Sequence, residues 1–146
     1  MRALILTHSA PDYGADFLTE GLCDLLGPAN VVDWPSKPSL HGVKSGFDCD
    51  FNWPVNERSS VSAAQLCAHI DDFDVVILPT ARDIVHHGGV LRIADAISER
   101  LRHRLVICDF EDSSSFKTLA VMKTALGFEP RRVFKREVPL GTGRGT

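Results

Sequence analysis

Short, uninterrupted apolar segments recur along the chain, and each is followed by polar or turn-forming residues. Segments without strict alternation of polar and apolar residues indicate strands covered on both faces, as in a parallel sheet. The pattern predicts five strands, at residues 2–7, 31–34, 75–78, 105–108 and 131–138. The last segment alternates charged residues with apolar ones, which favours the edge of a sheet.

Apolar residues at helical spacing predict a helix between each pair of strands. The first helix has a predicted core face of Leu18, Leu22, Leu25 and Leu26, widened by Phe17 and Gly21, and it ends at Gly27-Pro28. Ser60 is predicted to cap a second helix over 61–70. A third helix is expected over 90–101, and a fourth over 116–126, closed by Gly127.

This alternation predicts one three-layer α/β/α domain over residues 1–140, Rossmann-like (flavodoxin-like), with 141–146 as a disordered tail. Right-handed crossovers give a five-stranded parallel sheet of order 2-1-3-4-5 with two helices on each face. The strand order reverses between the first and third strands. We therefore expect the loops His8–Gly14 and Thr80–Gly89 to face each other across one crevice.

Composition and charge narrow the class of protein. The 146 residues carry a net charge of −3, which argues against nonspecific nucleic-acid binding, although residues 117–146 hold 7 Lys/Arg against 2 Asp/Glu. No segment predicts a membrane span or a signal peptide. Cys23, Cys49, Cys67 and Cys108 lack C-x-x-C spacing, and three lie in predicted helices or strands. These features predict free thiols in a cytoplasmic protein, with neither nucleic acid nor membrane as a partner.

Residues 36–59 form the longest predicted loop. The segment contains Phe47, Phe51 and Trp53 and has little periodicity, so it is expected to pack onto another surface. One interpretation is that these aromatic residues and the edge strand form a homodimer. His41, in the same segment, is expected at the surface, as are His69 and His103.

The polar residues after the third strand are the strongest candidates for ligand contact. Thr80, Arg82 and His86 supply a hydroxyl, a fixed cation and an imidazole at the expected crevice. Arg82 could bind a phosphate or carboxylate, and a histidine could act as a general acid or base. The alternative is polar capping of the following helix.

Two further clusters follow the first and fourth strands. The loop from His8 to Gly14, with Asp12 and Tyr13, could contact phosphate; alternatively, Asp12 or Asp16 only lies near a helix N-terminus. One or two of the carboxylates Asp109, Glu111 and Asp112 could hold Mg²⁺; alternatively, they bond to neighbouring loops or to Lys135 and Arg136. No serine or cysteine occupies a G-x-S-x-G elbow.

Several motifs together resemble a known family. They are Asp12-Tyr13, then F-L-x-x-G-L-x-x-L-L-G at 17–27, V-V-D-W-P at 31–35, D-F-E-D at 109–112 and F-K-R-E at 134–137. This set is similar to that of bacterial glycosyltransferase-like proteins of the GT-B type, which have D-G-E-D after the fourth strand. Phe110 stands where those proteins have the glycine.

The resemblance implies the N-terminal, acceptor-side domain of such a transferase, whose nucleotide-sugar donor is held mostly by a C-terminal domain. It therefore implies a sugar or nucleotide ligand and a separate catalytic domain as partner. On this basis the chain is expected to be a ligand-binding domain that is not catalytic alone. The alternatives are a homo-oligomeric assembly module and a small Mg²⁺-dependent phosphate or nucleotide ester hydrolase.

Overall fold

The computed structural model describes residues 1–7, 12–43, 51–79, 103–110 and 131–135, with residues 93, 124, 126, 127 and 129. Its strands are β1 (Ala3–Leu6), β2 (Val31–Trp34), β3 (Val75–Leu78), β4 (Leu105–Asp109) and β5 (Arg132–Lys135), and its helices are α1 (Tyr13–Leu26) and α2 (Ala63–Ala68). The two later predicted helices fall outside these ranges except for Ile93, Thr124 and Leu126, which are helical, and the predicted tail lies outside them entirely. No helix in the described ranges has the length and apolar character needed to cross a bilayer.

The five strands form one parallel sheet of order β2-β1-β3-β4-β5. This order confirms the predicted Rossmann-like α/β fold. β5 lies at one edge, as its charge alternation predicted, and its side chains alternate between exposed and partly buried. The predicted strand bounds are confirmed to within one residue for the first four segments, with Asp109 added to the end of β4.

The strands lack a polar face because both faces of the sheet are covered. Leu4, Val76 and Ile107 belong to one buried apolar cluster, which also contains Leu66 of α2. The intervening positions, such as Ile5 and Ile77, belong to a second cluster, which packs against α1. Successive side chains of a strand point to opposite faces, so a continuous apolar segment supplies both clusters.

The predicted core face of α1 is right only in part. The buried residues of the helix are the small or polar Ala15, Asp16, Thr19 and Cys23. Leu18, Leu22 and Leu26 are only partly buried along the flank of this stripe, whereas Phe17 and Leu25 are 55% and 76% exposed. Small side chains allow α1 to approach the sheet closely, and the larger leucines cover the margins of the contact.

The start of α2 also differs from the prediction. Ser62, and not Ser60, is the N-cap: its side chain accepts a hydrogen bond from the backbone N–H of Gln65, and the Gln65 side chain accepts from the backbone N–H of Ser62. This reciprocal arrangement is a capping box, and it is readable in the sequence as S-x-x-Q. Ser60 instead ends a short 3₁₀ turn, Glu57–Ser60.

The long segment 36–59 is tied to the domain where the structure describes it, at 36–43 and 51–59. His41 and Asn52 form an antiparallel bridge, the Gly42 N–H donates to the Phe51 carbonyl, and the Trp53 N–H donates to the Leu40 carbonyl. Phe51 is 6% exposed, and its ring meets that of Phe17 edge to face. The expectation that these aromatic residues pack is therefore confirmed for Phe51 and Trp53, while Phe47 lies outside the described residues.

The cysteines that the structure describes, Cys23, Cys67 and Cys108, are free thiols in helices or strands, as predicted. Burial raises the pKa of the Cys23 and Cys108 thiols to about 11. At neutral pH both are protonated and behave as small apolar side chains. Cys49 falls outside the described ranges.

Candidate functional site

The strand order reverses between β1 and β3, and the carboxyl ends of these two strands meet at one edge of the sheet. Thr7 directly follows β1 and Pro79 directly follows β3, and both are buried. The segments that begin at residues 8 and 80 therefore leave from the same edge. His8, Thr80, Arg82, His86 and Glu111 belong to segments outside the described residues.

Asp12 is the N-cap of α1. Its Oδ1 accepts a hydrogen bond of 3.1 Å from the backbone N–H of Ala15, which satisfies one of the unpaired donors at the helix start. The interpretation of Asp12 and Asp16 as residues near a helix N-terminus is thus confirmed, since Asp16 lies in the first turn. Tyr13 begins the helix and is 48% exposed at this edge.

Asp109 ends β4 and forms an ion pair with Lys135 of β5. The Lys135 Nζ donates to Asp109 Oδ2 at 2.9 Å, and the two side chains are only 3% and 5% exposed. The predicted bond between this acidic cluster and Lys135 is confirmed. Lys135 therefore already neutralises the Asp109 charge, and the described residues contain no group of three or more side chains arranged to hold a metal.

Phe110 crosses from the end of β4 to the first turn of α1. A Cβ placed on Gly14 would lie 2.8 Å from Phe110 Cγ and 3.1 Å from its Cβ, so the ring rests directly against the helix backbone. β3 lies between β1 and β4 in the sheet, so this contact joins segments on the two sides of β3. It also brings the neighbourhoods of Asp12 and Asp109 together.

We expect Gly14→Ala to lower the free energy of unfolding by about 1–2 kcal/mol. Overpacking against a fixed ring costs about 1–3 kcal/mol, and the higher helix propensity of alanine offsets up to about 1 kcal/mol of it. In a Phe110→Ala background the two closest ring atoms are gone and only the Cβ at 3.1 Å remains, so the same substitution should cost much less or be neutral. Urea denaturation of the four proteins in this cycle measures the difference.

Gly21→Ala is the matched control in the same helix. A Cβ at Gly21 meets nothing within 4 Å, so alanine should stabilise the protein by about 0.5–1 kcal/mol through propensity alone. Equal effects of the Gly14 substitution with and without the Phe110 ring would contradict the contact.

A buried ion pair lies beneath the same edge. Lys37 Nζ is 2.6 Å from Asp16 Oδ1, and the two side chains are 1% and 3% exposed. The contact lies outside hydrogen-bond geometry, and neither atom has a hydrogen-bond partner among the residues that the structure describes. Ser39 Oγ donates a long hydrogen bond, 3.4 Å, to Asp16 Oδ2. The pair fixes the segment after β2 against α1.

Asp33 is the centre of a second buried network on the α1 face of the sheet. Its Oδ1 accepts from Ser59 Oγ at 2.7 Å, and its Oδ2 accepts from the backbone N–H of Lys37 at 2.7 Å. His41 Nε2 is 2.9 Å from the same Oδ2, and His41 Nδ1 is 2.9 Å from the Trp53 carbonyl oxygen. The expectation that His41 lies at the surface is therefore wrong, whereas His69 and His103 are exposed as expected.

The Asp33 network is not arranged for nucleophilic catalysis. In a catalytic triad the histidine lies between the serine and the carboxylate, but here Asp33 lies between Ser59 and His41. Cys23 lines a cavity of about 10 Å³ together with Asp33 and His41, and its raised pKa keeps it a thiol. Both ring nitrogens of His41 are already engaged. The network therefore holds residues 36–43 and 51–59 against β2.

Comparison with models of protein families, with curated proteins and with solved structures finds no match to this chain. The likeness to the acceptor-side domain of GT-B glycosyltransferases accordingly stays a prediction from short motifs.

Proposed function

We propose that this chain is a ligand-binding domain that binds a sugar or nucleotide at the carboxyl edge of its sheet, and that it is not catalytic alone. The observation that carries the proposal is the reversal of strand order between β1 and β3. In open parallel sheets, ligands bind outside the carboxyl ends of the strands where the order reverses. The motif resemblance agrees with the ligand class.

Three features support binding over catalysis by the described residues. The Asp109 carboxylate is neutralised by Lys135. Both ring nitrogens of His41 are engaged in contacts with the protein, and the Cys23 thiol is protonated at neutral pH. Phe110 covers the start of α1, which narrows the crevice from one side. None of these described groups is poised to react, so a reacting group would have to come from elsewhere.

An assembly module is the second candidate, and it has less support. Phe51 and Trp53 pack against the protein's own core and so do not supply an intermolecular surface. Phe134, which is 64% exposed on the edge strand β5, is the aromatic residue that could still contribute to such a surface. The Mg²⁺-dependent hydrolase has the least support because a buried ammonium already occupies its Asp109 carboxylate.

Arg82→Gln is expected to weaken binding of a nucleotide sugar or sugar phosphate about tenfold to a hundredfold. Arg82 follows β3 by four positions in the sequence, and charge-assisted hydrogen bonds to phosphate contribute about 1.5–3 kcal/mol. The measurement is a titration of ¹⁵N-labelled protein with UDP-glucose, GDP-mannose and glucose 1-phosphate. Shift changes should centre on the amides of Thr7, Tyr13 and Phe110.

Arg132→Gln, an exposed cation lost from the edge strand β5, is the control and should leave binding unchanged. Shift changes confined to the amino ends of the strands, or equal binding by the two variants, would contradict a crevice at β1 and β3.

A further inference from the structure

A second concave site lies away from the carboxyl edge, beside the amino end of β3. It is a pocket of about 240 Å³ between α2 and the turn that precedes β3. Its lining consists of Arg58, Val61, Gln65, Leu66, His69 and Phe73. Phe73 stands two residues before β3, so the pocket and the proposed sugar or nucleotide crevice belong to opposite ends of the strands.

The floor of this pocket is apolar and almost completely buried. Leu66 and Phe73 are 2% and 1% exposed and belong to the main apolar cluster, against which Val61 also packs. An apolar cavity of about 150 Å³ is sufficient to hold benzene. A volume of about 240 Å³ therefore accommodates one aromatic ring with a short substituent.

The rim of the pocket carries a cation with donors to spare. The Arg58 guanidinium lies 5.9 Å from the centre of the Phe73 ring, and its Nη1 donates to Asp72 Oδ2 at 2.9 Å. A guanidinium has five N–H donors. Among the described residues, the Arg58 side chain makes one hydrogen bond, from Nη1. Arg58 and Asp72 are 40% and 38% exposed, so solvent screens their attraction and the pair contributes little.

We propose that this pocket binds a small aromatic carboxylate, with the ring against Val61, Gln65 and His69 above the buried Leu66 and Phe73, and with the carboxylate on Arg58. The apolar floor gains from the removal of a hydrophobic ring from water. The planar guanidinium can donate two parallel hydrogen bonds to one carboxylate. The single hydrogen bond to Asp72 does not use this arrangement. Arg58 sits directly above the aromatic floor, so ring and charge are recognised by adjacent groups.

Asp72 is the internal competitor for the same cation. Its carboxylate accepts from Arg58 Nη1 and lies 3.9 Å from His69 Nδ1. It therefore occupies the position in which a ligand carboxylate would contact both Arg58 and His69. Removing its charge should therefore strengthen ligand binding, whereas removing the Arg58 charge should weaken it. Opposite effects from the two partners of one ion pair distinguish recognition from a general loss of stability.

Phenylacetate is the probe, and binding is followed by the amide shifts of Leu66, His69 and Phe73 in ¹⁵N-labelled protein. Phenylacetamide keeps the ring and shape but lacks the charge, and acetate keeps the charge but lacks the ring. Both should bind at least about tenfold more weakly than phenylacetate, a difference that corresponds to about 1.4 kcal/mol. This comparison uses only the native chain, so it stands even if a variant fails to fold.

Arg58→Gln should weaken phenylacetate binding at least about tenfold, and Asp72→Asn should strengthen it about threefold. Arg132→Gln removes a cation far along the sheet and should change nothing. Equal binding of phenylacetate and phenylacetamide, the absence of saturable shifts at these amides, or weaker binding after Asp72→Asn would overturn the proposal. None of these outcomes bears on the sugar or nucleotide crevice, whose ligands and reporting amides are different.

Discussion

Replacing Asp33 with alanine is expected to lower the free energy of unfolding by about 3–5 kcal/mol. The carboxylate is 3% exposed and accepts from the Ser59 hydroxyl, the Lys37 backbone N–H and His41 Nε2. Each buried donor left without an acceptor costs about 1–3 kcal/mol. The loss also releases residues 36–43 from β2, because Lys37 and His41 both belong to that segment. Urea denaturation followed by tryptophan fluorescence measures the effect.

Asp33→Asn keeps the shape of this side chain but replaces one of its two acceptor oxygens with an amide nitrogen. An amide oxygen at the Oδ2 position keeps the Lys37 N–H and His41, while the amide nitrogen faces Ser59, whose hydroxyl can turn to accept. The expected loss is therefore smaller, about 1–2 kcal/mol.

Asp24→Ala, on the exposed side of α1, is the matched control and should change stability by less than about 0.5 kcal/mol. Similar losses for the alanine variants at positions 24 and 33 would show that the network does not hold the fold.

The strands and their order could be predicted because the rules involved need only local pattern and connection handedness. Uninterrupted apolar segments such as Val75–Leu78 indicate a strand covered on both faces, and the helical spacing between strands indicates parallel crossovers. The stop at Gly27 was also readable, since its φ of 80° is a conformation that favours glycine.

The core face of α1 could not be read from hydrophobicity alone. The leucines at 18, 22, 25 and 26 form the most apolar stripe, but the helix packs through Ala15, Thr19 and Cys23. Close approach of a helix to a sheet selects small side chains at the contact, and a hydropathy pattern weighs large side chains more heavily. Thr19 is tolerated there because its hydroxyl donates to the Ala15 carbonyl one turn earlier.

The buried polar networks were missed for a different reason. Asp33 accepts from groups 4, 8 and 26 positions further along the chain, in backbone without helical or strand periodicity, so no spacing rule connects them. One signal was present: an aspartate within a four-residue strand whose other residues are all apolar. A buried carboxylate needs partners, and searching the following loop for donors would have suggested Lys37, His41 and Ser59.

Lys37→Met is expected to destabilise the protein by about 3–5 kcal/mol, because it leaves the Asp16 carboxylate buried without a counter-charge. Lysine and methionine have similar unbranched stems, so the substitution changes the charge and leaves little empty volume. Asp16→Leu should have an effect of similar size, since it strands the ammonium of Lys37, which is 1% exposed. Arg132→Met, which removes an exposed cation, is the control and should have almost no effect.

The double variant, Asp16→Leu with Lys37→Met, tests whether the ion pair stabilises the fold or only compensates for the burial of its own two charges. Replacing both members of a buried ion pair with apolar side chains of similar volume is often neutral or stabilising by about 1–4 kcal/mol. The native pair attracts strongly at 2.6 Å, but neither contacting atom makes a hydrogen bond to another described residue, so the attraction offsets only part of the free energy spent in removing the two charges from water. We therefore expect the double variant to be at least as stable as the native chain in urea denaturation. Additive losses would instead mean that each side chain contributes separately, through packing at the junction of α1 with the segment after β2.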